Sequence, residues 1–501
     1  MSSIVTFYSY KGGVGRSMAL ANVAVLLAQR GLKVLAVDWD LEAPGLERYF
    51  SYFSPSSSGK GLLRLLISAR DGQSTNLDDF ASRIDCKADH PIVLLGSGRD
   101  QDEDYSRNLE TFDWPDFFAN GGGAFLERLR DEWRRDFDIV LIDSRTGLSD
   151  AGGICTIQMP DAVVAMFTAN YQSLYGARDV LRLAQKARQS LAYDRMPLSV
   201  LPLPSRWGVQ EFQETQIWLE RIVDGVQEFY ADWLPRPLTP RQVLEITKIP
   251  HHSYFGFGER LAAVEQGTED PTGMGFVYDK VAQFLASDFK NFAALVGQKA
   301  AEAVAAEETK KAPSPAPKMD DYAYDIYVSF DRSTKDWVID FVESLRDELA
   351  RRFKVPPRVF VDVQEVDVGS DNWAPMLIDA IKRSRVMLVL ITPDYFKSRW
   401  AARELELFAD ESRRRGATAA SGRPPVVPVF VSGGSTVGML MPPELRTLNY
   451  LDVSPSEVGR MARLPRGRRP SEWFAVISRV ADILGGMLED VDRGPRPQIT
   501  V

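Results

Sequence analysis

The sequence reads as two α/β domains in tandem, each a doubly wound parallel sheet. An apolar strand, a glycine-rich loop and a helix follow one another at the start. Further apolar strands end in carboxylates, and after a Pro-rich interruption the alternation of strand and helix begins afresh at Tyr324. At 501 residues, 45% hydrophobic and 26% charged, the chain exceeds one ordinary core, and domains of roughly 300 and 180 residues fit.

Ile4 to Tyr10 is rich in β-branched and aromatic residues and reads as the first strand. Met18 to Arg30 carries Leu20, Val23, Leu26 and Leu27 at helical spacing and stops at Gly31. Between them runs Tyr10-Lys11-Gly12-Gly13-Val14-Gly15-Arg16-Ser17. Three glycines let successive N–H groups turn onto phosphate oxygens, the helix start adds its positive dipole end, and Ser17 offers a hydroxyl to Mg²⁺. Two departures from the ordinary phosphate-loop pattern matter. Tyr10 replaces the first Gly, and Arg16 stands where a Lys contacts the β- and γ-phosphates. Arg keeps the charge and binds phosphate through two N–H groups, but it is bulkier and planar, so nucleotide binding is expected to survive better than fast hydrolysis.

The early Lys11 makes the loop resemble the deviant Walker A motif of the ParA/MinD family of dimerising ATPases. The resemblance implies that Lys11, Gly12, Gly13, Val14, Gly15, Arg16 and Ser17 surround ATP, with Lys11 reaching the nucleotide of a partner subunit. Lys33 to Asp40 reads as a buried parallel strand ending in two carboxylates, where ligands of open α/β sheets bind. By resemblance to switch I, Asp40 orients the attacking water and Asp38 lies near the Mg²⁺ shell. Asp138 to Asp143 resembles Walker B, running through Ser144, Arg145 and Thr146 to Gly147. There Asp143 is implied to hold Mg²⁺ through water, with Ser17 as the other metal contact, and Gly147 to free an N–H for the γ-phosphate. The family's usual prolines are replaced by Arg145 and Thr146. Asp161 to Thr168 and Leu198 to Leu203 read as further strands, and Ile249-Pro250 precedes a helix over Glu259 to Glu265. Ser205 and Arg206 fall where the family contacts adenine, and Gln210 to Tyr230 reads as an amphipathic helix that packs or faces a dimer partner.

Composition bounds the partners. Net charge is −9, which disfavours a broad nucleic-acid surface, and the basic clusters Arg413 to Arg415 and Arg466 to Arg469 read as solvated loops. The two cysteines, Cys86 and Cys155, with only His90 near the first, make neither a disulfide framework nor a zinc site. A cytoplasmic, reducing setting is expected, with no signal peptide and no bilayer-spanning run. Residues 298–321 are an Ala/Glu/Lys stretch followed by Lys311-Ala312-Pro313-Ser314-Pro315-Ala316-Pro317, a semi-rigid spacer. It divides residues 1–297 from 322–501. Its Ala/Glu part has almost no large apolar face, so it is not expected to anchor the chain to a membrane.

Beyond the spacer come a strand, Tyr324 to Phe330, and a helix from about Lys335 to Arg352. Val359 to Asp362 and a loop through Gly369 follow, then an apolar strand, Val386 to Ile391. Ser398, Trp400 and Glu404 stand in the run Tyr395 to Leu405, with a strand at Val426 to Phe430 and a closing helix at Trp473 to Leu488. In this order the elements resemble the TIR domain, a flavodoxin-like fold. Some TIR domains cleave NAD⁺ and others only assemble. The resemblance puts Glu404 at the catalytic position, with Trp400 one helical turn away on the same face. Phe330, Asp331, Asp362 and Trp400 are expected beside the bound dinucleotide. Glu404 is expected to face solvent in a cleft, so that its loss leaves assembly intact.

The halves together imply an immune or signalling protein of bacterial type, in which an ATP-dependent dimer, and a higher oligomer through the tails, switches on NAD⁺ cleavage in response to a protein trigger that the sequence does not name. Two alternatives stand beside this: a non-catalytic TIR scaffold, and cargo positioning as in the front half's relatives.

Overall fold

The structure, a computed structural model, describes residues 2–53, 59–147, 153–189, 198–208, 212–231, 233–235, 237–289, 291–297, 322–330, 335–361, 373–392, 395, 399–415, 424–431, 451–453 and 472–493. The main divide between its two compact units falls between Glu308 and Thr309.

The first unit is built on seven strands: β1 Ser3–Ser9, β2 Val34–Asp38, β3 Ser82–Ile84, β4 Ile92–Leu95, β5 Ile139–Asp143, β6 Ala162–Phe167 and β7 Ser199–Pro204. Their order in the sheet is β3-β4-β2-β5-β1-β6-β7, parallel except for the β3–β4 pair at one edge. The strand opening the chain, β1, is buried along its whole length between β5 and β6. Chain order reverses across it, which opens a ligand crevice at the C-terminal strand ends. The register sets Asp143 beside both Phe7 and Asp38 there.

Helix Arg16–Gln29 starts two residues earlier than the apolar spacing predicts, because Gly15, at φ 88°, ends the loop in the left-handed region. Every residue from Ala19 to Ala28 is at most 4% exposed. A helix this buried is held by the sheet on one side and by helix Met274–Ala286 on the other, which fixes the loop at its start. The helix predicted over Glu259 to Glu265 shortens to Ala262–Glu265, with Gly258 at φ 72° just before it. The helix predicted to run to Tyr230 gives way after Phe212–Val226 to a 3₁₀ turn at Gln227–Tyr230.

The second unit carries β8 Tyr324–Phe330, β9 Val359–Val361, β10 Ser384–Ile391, β11 Val426–Phe430 and β12 Leu451–Asp452. All pairs are parallel in the order β9-β8-β10-β11-β12, the flavodoxin-like 2-1-3-4-5 arrangement whose switch point lies between β8 and β10. Helices Lys335–Arg352 and Trp473–Arg493 cover one face through Trp337, Phe341, Trp473 and Ile477. Helices Trp373–Lys382 and Arg399–Arg415 cover the other through Leu377, Ile381, Ala401 and Phe408. Arg413 to Arg415, read as a loop, form the last turn of a helix and pair with Asp410 and Glu411. Cations at a helix C-terminus also complement its dipole. Arg466 to Arg469 and residues 298–321 lie outside the described residues.

Candidate functional site

The first site is assembled from the ends of β1, β2 and β5. Gly13 (φ 75°) and Gly15 (φ 88°) hold backbone conformations that side chains resist, and a Cβ on Gly12, Gly13 or Gly15 would meet nothing within 4 Å. Open space over inward-turned backbone at a helix start is the cradle a phosphate group needs. Lys11 is exposed, and its carbonyl accepts from the Ser9 hydroxyl at 3.0 Å. Val14 is buried and Ser17 half-buried. The odd Tyr10 also has its explanation. Its ring lies so close to Gly176, on helix Tyr171–Gln189, that a Cβ there would sit 2.3 Å away.

Three carboxylates face this loop, and all are buried: Asp38 and Asp143 at 0% and Asp40 at 7% exposure. Asp38 accepts three backbone N–H groups, from Asp40 at 3.1 Å, Gly45 at 3.1 Å and Leu46 at 3.0 Å. Burial, reinforced by the neighbouring charge of Asp143, nevertheless pushes its pKa up to about 8. Burial also drives Asp143 above the usual carboxylate range, although Arg16 opposes it.

The Arg16 side chain is where expectation and structure differ most. Its guanidinium was expected on the phosphates. It is 7% exposed and lies between carboxylates instead, Nε donating to Asp143 Oδ1 and Nη2 to Asp40 Oδ2 at 2.9 Å. The physical reason is charge: Asp40 and Asp143, buried at neighbouring strand ends, need a cation, and the first residue of the helix supplies one. The phosphate cradle therefore fits a nucleotide. Ser17 and Asp143, the pair expected at Mg²⁺, lie together: the Ser17 hydroxyl is within hydrogen-bonding reach of the Asp143 carboxylate, and Arg16 takes only Oδ1, so these two residues would hold the ion.

The Gly147 carbonyl accepts from the Tyr8 hydroxyl at 3.3 Å, and Arg145 pairs with Glu42. Ser205 is buried and donates to the Phe167 carbonyl at 3.3 Å, while Arg206 is exposed at φ 51°.

The second site lies at the switch point of the smaller sheet. Glu404 reaches back from helix Arg399–Arg415 to β8, accepting from the Tyr327 hydroxyl at 2.7 Å on Oε1 and from the Ser329 hydroxyl on Oε2. Ser329 and the Tyr395 hydroxyl are 2.8 Å apart. Since Ser329 spends its one proton on Glu404, Tyr395 donates to Ser329, giving a relay of hydroxyls that ends on the carboxylate. Burial, with the Glu404 charge second, raises the Tyr395 phenol well above its ordinary value and keeps it protonated. Glu404 is 4% exposed, so the solvent-facing carboxylate of the sequence reading is in fact a buried one.

Sequence reasoning missed Tyr327, Ser329 and Tyr395. Phe330, expected near the dinucleotide, packs with Trp337 on the opposite face of the sheet. Strand alternation is the reason, and it was the available signal: if Tyr327 and Ser329 face the helix of Glu404, Phe330 cannot. Trp400 lies in the first turn of that helix. Its side chain, and Asp331, Asp362 and Ser398, lie outside the described residues.

Residues 5–236 match the CobQ/CobB/MinD/ParA nucleotide binding domain, and residues 326–464 match the TIR domain. This chain joins a MinD/ParA-type domain to a TIR domain. Over 174 residues the chain is 26% identical to the septum site-determining protein MinD of Helicobacter pylori, a stretch covering 35% of this chain and 56% of that protein. The chain thus spans about half the length of the curated relative it matches. Among solved structures it is similar to MinD of Pyrococcus horikoshii complexed with Mg-ADP, at 18% identity and TM-score 0.39, covering 58% of this chain and 100% of that one. It is also similar to cobyrinic acid a,c-diamide synthase of Mycobacterium smegmatis with a bound ATP analogue and magnesium, at 18% identity and TM-score 0.40, covering 58% and 96%. No helix among the described residues is long and apolar enough to cross a membrane.

Proposed function

We propose that the MinD/ParA-type domain, residues 1–297, is an ATP-binding assembly switch. Through the 298–321 spacer it governs a TIR domain, 322–501, that hydrolyses NAD⁺. In this reading the protein is a cytoplasmic immune or signalling effector. ATP pairs two front halves, Lys11 of each reaching toward the other's nucleotide, and the spacer raises the effective concentration of one TIR domain for the next. Turnover of ATP is slow, because Arg16 is engaged by Asp143 and Asp40.

The observation that carries the NAD⁺ reading is a carboxylate, Glu404, held by Tyr327 and Ser329 at the switch point of a flavodoxin-order sheet. The chemistry asks for little more. The bond between ribose C1′ and the pyridinium nitrogen breaks, nicotinamide leaves neutral with the electron pair, and the sugar develops oxocarbenium charge. A carboxylate stabilises that charge and holds the ribose hydroxyls; water then adds at C1′ and its proton passes to solvent. No general acid is needed for a neutral leaving group. The test is release of free nicotinamide from NAD⁺ by the purified chain and its Glu404→Gln variant. A loss of at least about a hundredfold, ~2.7 kcal/mol of transition-state stabilisation, supports the reading.

A second reading is favoured by the burial of Glu404 at 4% exposure with hydroxyls on both oxygens. There the carboxylate is a structural acceptor and the TIR domain a scaffold that recruits an effector. A protein that assembles with ATP and never releases nicotinamide is what this second reading requires.

A further inference from the structure

A cavity of about 400 Å³ opens at the β3–β4 edge of the larger sheet, and no residue of the phosphate loop lines it. That volume is in the range of small-ligand sites, about 300–1,000 Å³. Among the described residues its apolar walls are Phe50, Phe80, Ile84 and Leu94, each at most 4% exposed. The backbone is shaped around it. A Cβ on Gly61 would overlap Gly98, so two loops meet here that other residues would hold apart.

The polar side of the cavity is acidic. Glu47 and Asp100 both line it, and among the described residues neither forms an ion pair. Glu47 lies against Gly96, where a Cβ would overlap its carboxylate. Burial raises its pKa above the ordinary carboxylate value, the Gly98 N–H opposes that, and the Asp100 charge adds to it. Of the cations nearby, Arg48 extends to Glu259, 4.0 Å away, and Lys60 sets its ammonium 5.6 Å from the centroid of the Phe80 ring. Two unpaired carboxylates beside aromatic walls favour a desolvated ammonium and repel an anion.

The same wall reaches the nucleotide crevice. In the segment that leads into and forms helix Leu46–Phe50, the Gly45 and Leu46 N–H groups donate to Asp38 at 3.1 and 3.0 Å, while Glu47 and Phe50 line the cavity. A smaller hollow bordered by Asp38, Glu47 and Asp100 adjoins it.

We propose that this cavity binds a small organic cation, with its ammonium group between Glu47 and Asp100 and its apolar body against Phe50 and Phe80, and that occupancy is felt at Asp38 through the shared helix. The second half of the proposal rests on the reading of the front half as a nucleotide site.

The experiment is calorimetric titration of the full chain, free of nucleotide, with phenethylamine, phenethyl alcohol and hydrocinnamate, which share a ring and differ in charge. The amine is expected to bind with a dissociation constant below about 1 mM, at least about tenfold tighter than the alcohol or the acid. Glu47→Gln and Asp100→Asn should each weaken the amine at least about threefold and leave the alcohol unchanged. No binding of the amine at about 10 mM, or equal binding of all three probes, overturns the cation site. So does an amine affinity indifferent to both substitutions; should the Glu47 variant fail to fold, exposed Asp100 decides alone. Titration with ATP and Mg²⁺ is then repeated with the amine saturating, where ATP affinity is expected to change at least about threefold. An unchanged ATP affinity overturns the link to Asp38. ATP that binds in neither condition overturns the nucleotide-site reading, while the amine titration still decides the cavity.

Discussion

Both sites hold buried carboxylates against a parallel sheet, and they hold them in opposite ways. At the end of β2 and β5, two of three buried acids, Asp40 and Asp143, share one guanidinium. At the switch point beside β8, the single Glu404 is held by the hydroxyls of Tyr327 and Ser329. An ion pair fixes charge and makes the site sensitive to any competing cation or anion. A hydroxyl relay leaves the carboxylate its full negative charge but fixes its orientation, which is what an oxocarbenium stabiliser needs. The front site holds its acids through an ion pair, and the tail site holds its carboxylate in one orientation.

This contrast can be broken at the ion pair first. Arg16→Gln leaves Asp143 and Asp40 buried without their cation, and should cost the front half about 3–5 kcal/mol. Hydrogen exchange on β2 and β5 reads that loss, and protection unchanged from the parent would mean the pair is not what holds these acids. The same substitution logic applied to the tail gives a smaller number. Ser329→Ala removes one donor to Glu404 and should cost about 1–3 kcal/mol, seen as faster exchange on β8 with the front half unaffected. An effect of the same size belongs to packing: Gly176→Ala puts a methyl into the Tyr10 ring and should cost about 1–3 kcal/mol while displacing the phosphate loop. Nucleotide affinity unchanged in that variant would separate Tyr10 from the loop's geometry.

The last of these concerns pH. Folded Asp38 keeps its proton up to about 8, against an ordinary value of 3.8, so between those limits the folded state binds more protons than the unfolded one. The contribution of Asp38 to stability is therefore full below about pH 4 and is lost as pH rises through about 8. Asp143, shifted in the same direction, adds to it. Asp38→Asn should flatten this dependence in the front half, even though one of its acceptor oxygens is lost. A parent stability that rises across the same window would reverse the account. No such slope is expected from Tyr395 in the tail, whose phenol stays protonated throughout that range.

Glycine spacing made the loop legible in the sequence, because a backbone that must cradle phosphate accepts few other residues at Gly13 and Gly15. Strands ending in Asp38 and Asp143 were legible for a similar reason, since long apolar runs with terminal acids belong to buried parallel sheets. Side-chain partnership was not. That Arg16 turns to the acids depends on the register setting Asp38 beside Asp143, which no local pattern encodes. The partners of Glu404 depend on which face of β8 its helix covers. The antiparallel edge strand Ser82–Ile84 is too short for a period-two signal, and helix Tyr171–Gln189 declares its role only through Tyr10 against its Gly176.

The coupling of the two halves is the central claim, and one measurement tests it most directly: nicotinamide release from NAD⁺ with and without ATP, in the parent and in Lys11→Ala, with light scattering on the same samples. The account predicts that ATP raises both molecular weight and nicotinamide release in the parent, and that Lys11→Ala loses both together while keeping an intact TIR domain. Release that is equal with and without ATP, or equal in the variant at unchanged molecular weight, would contradict it.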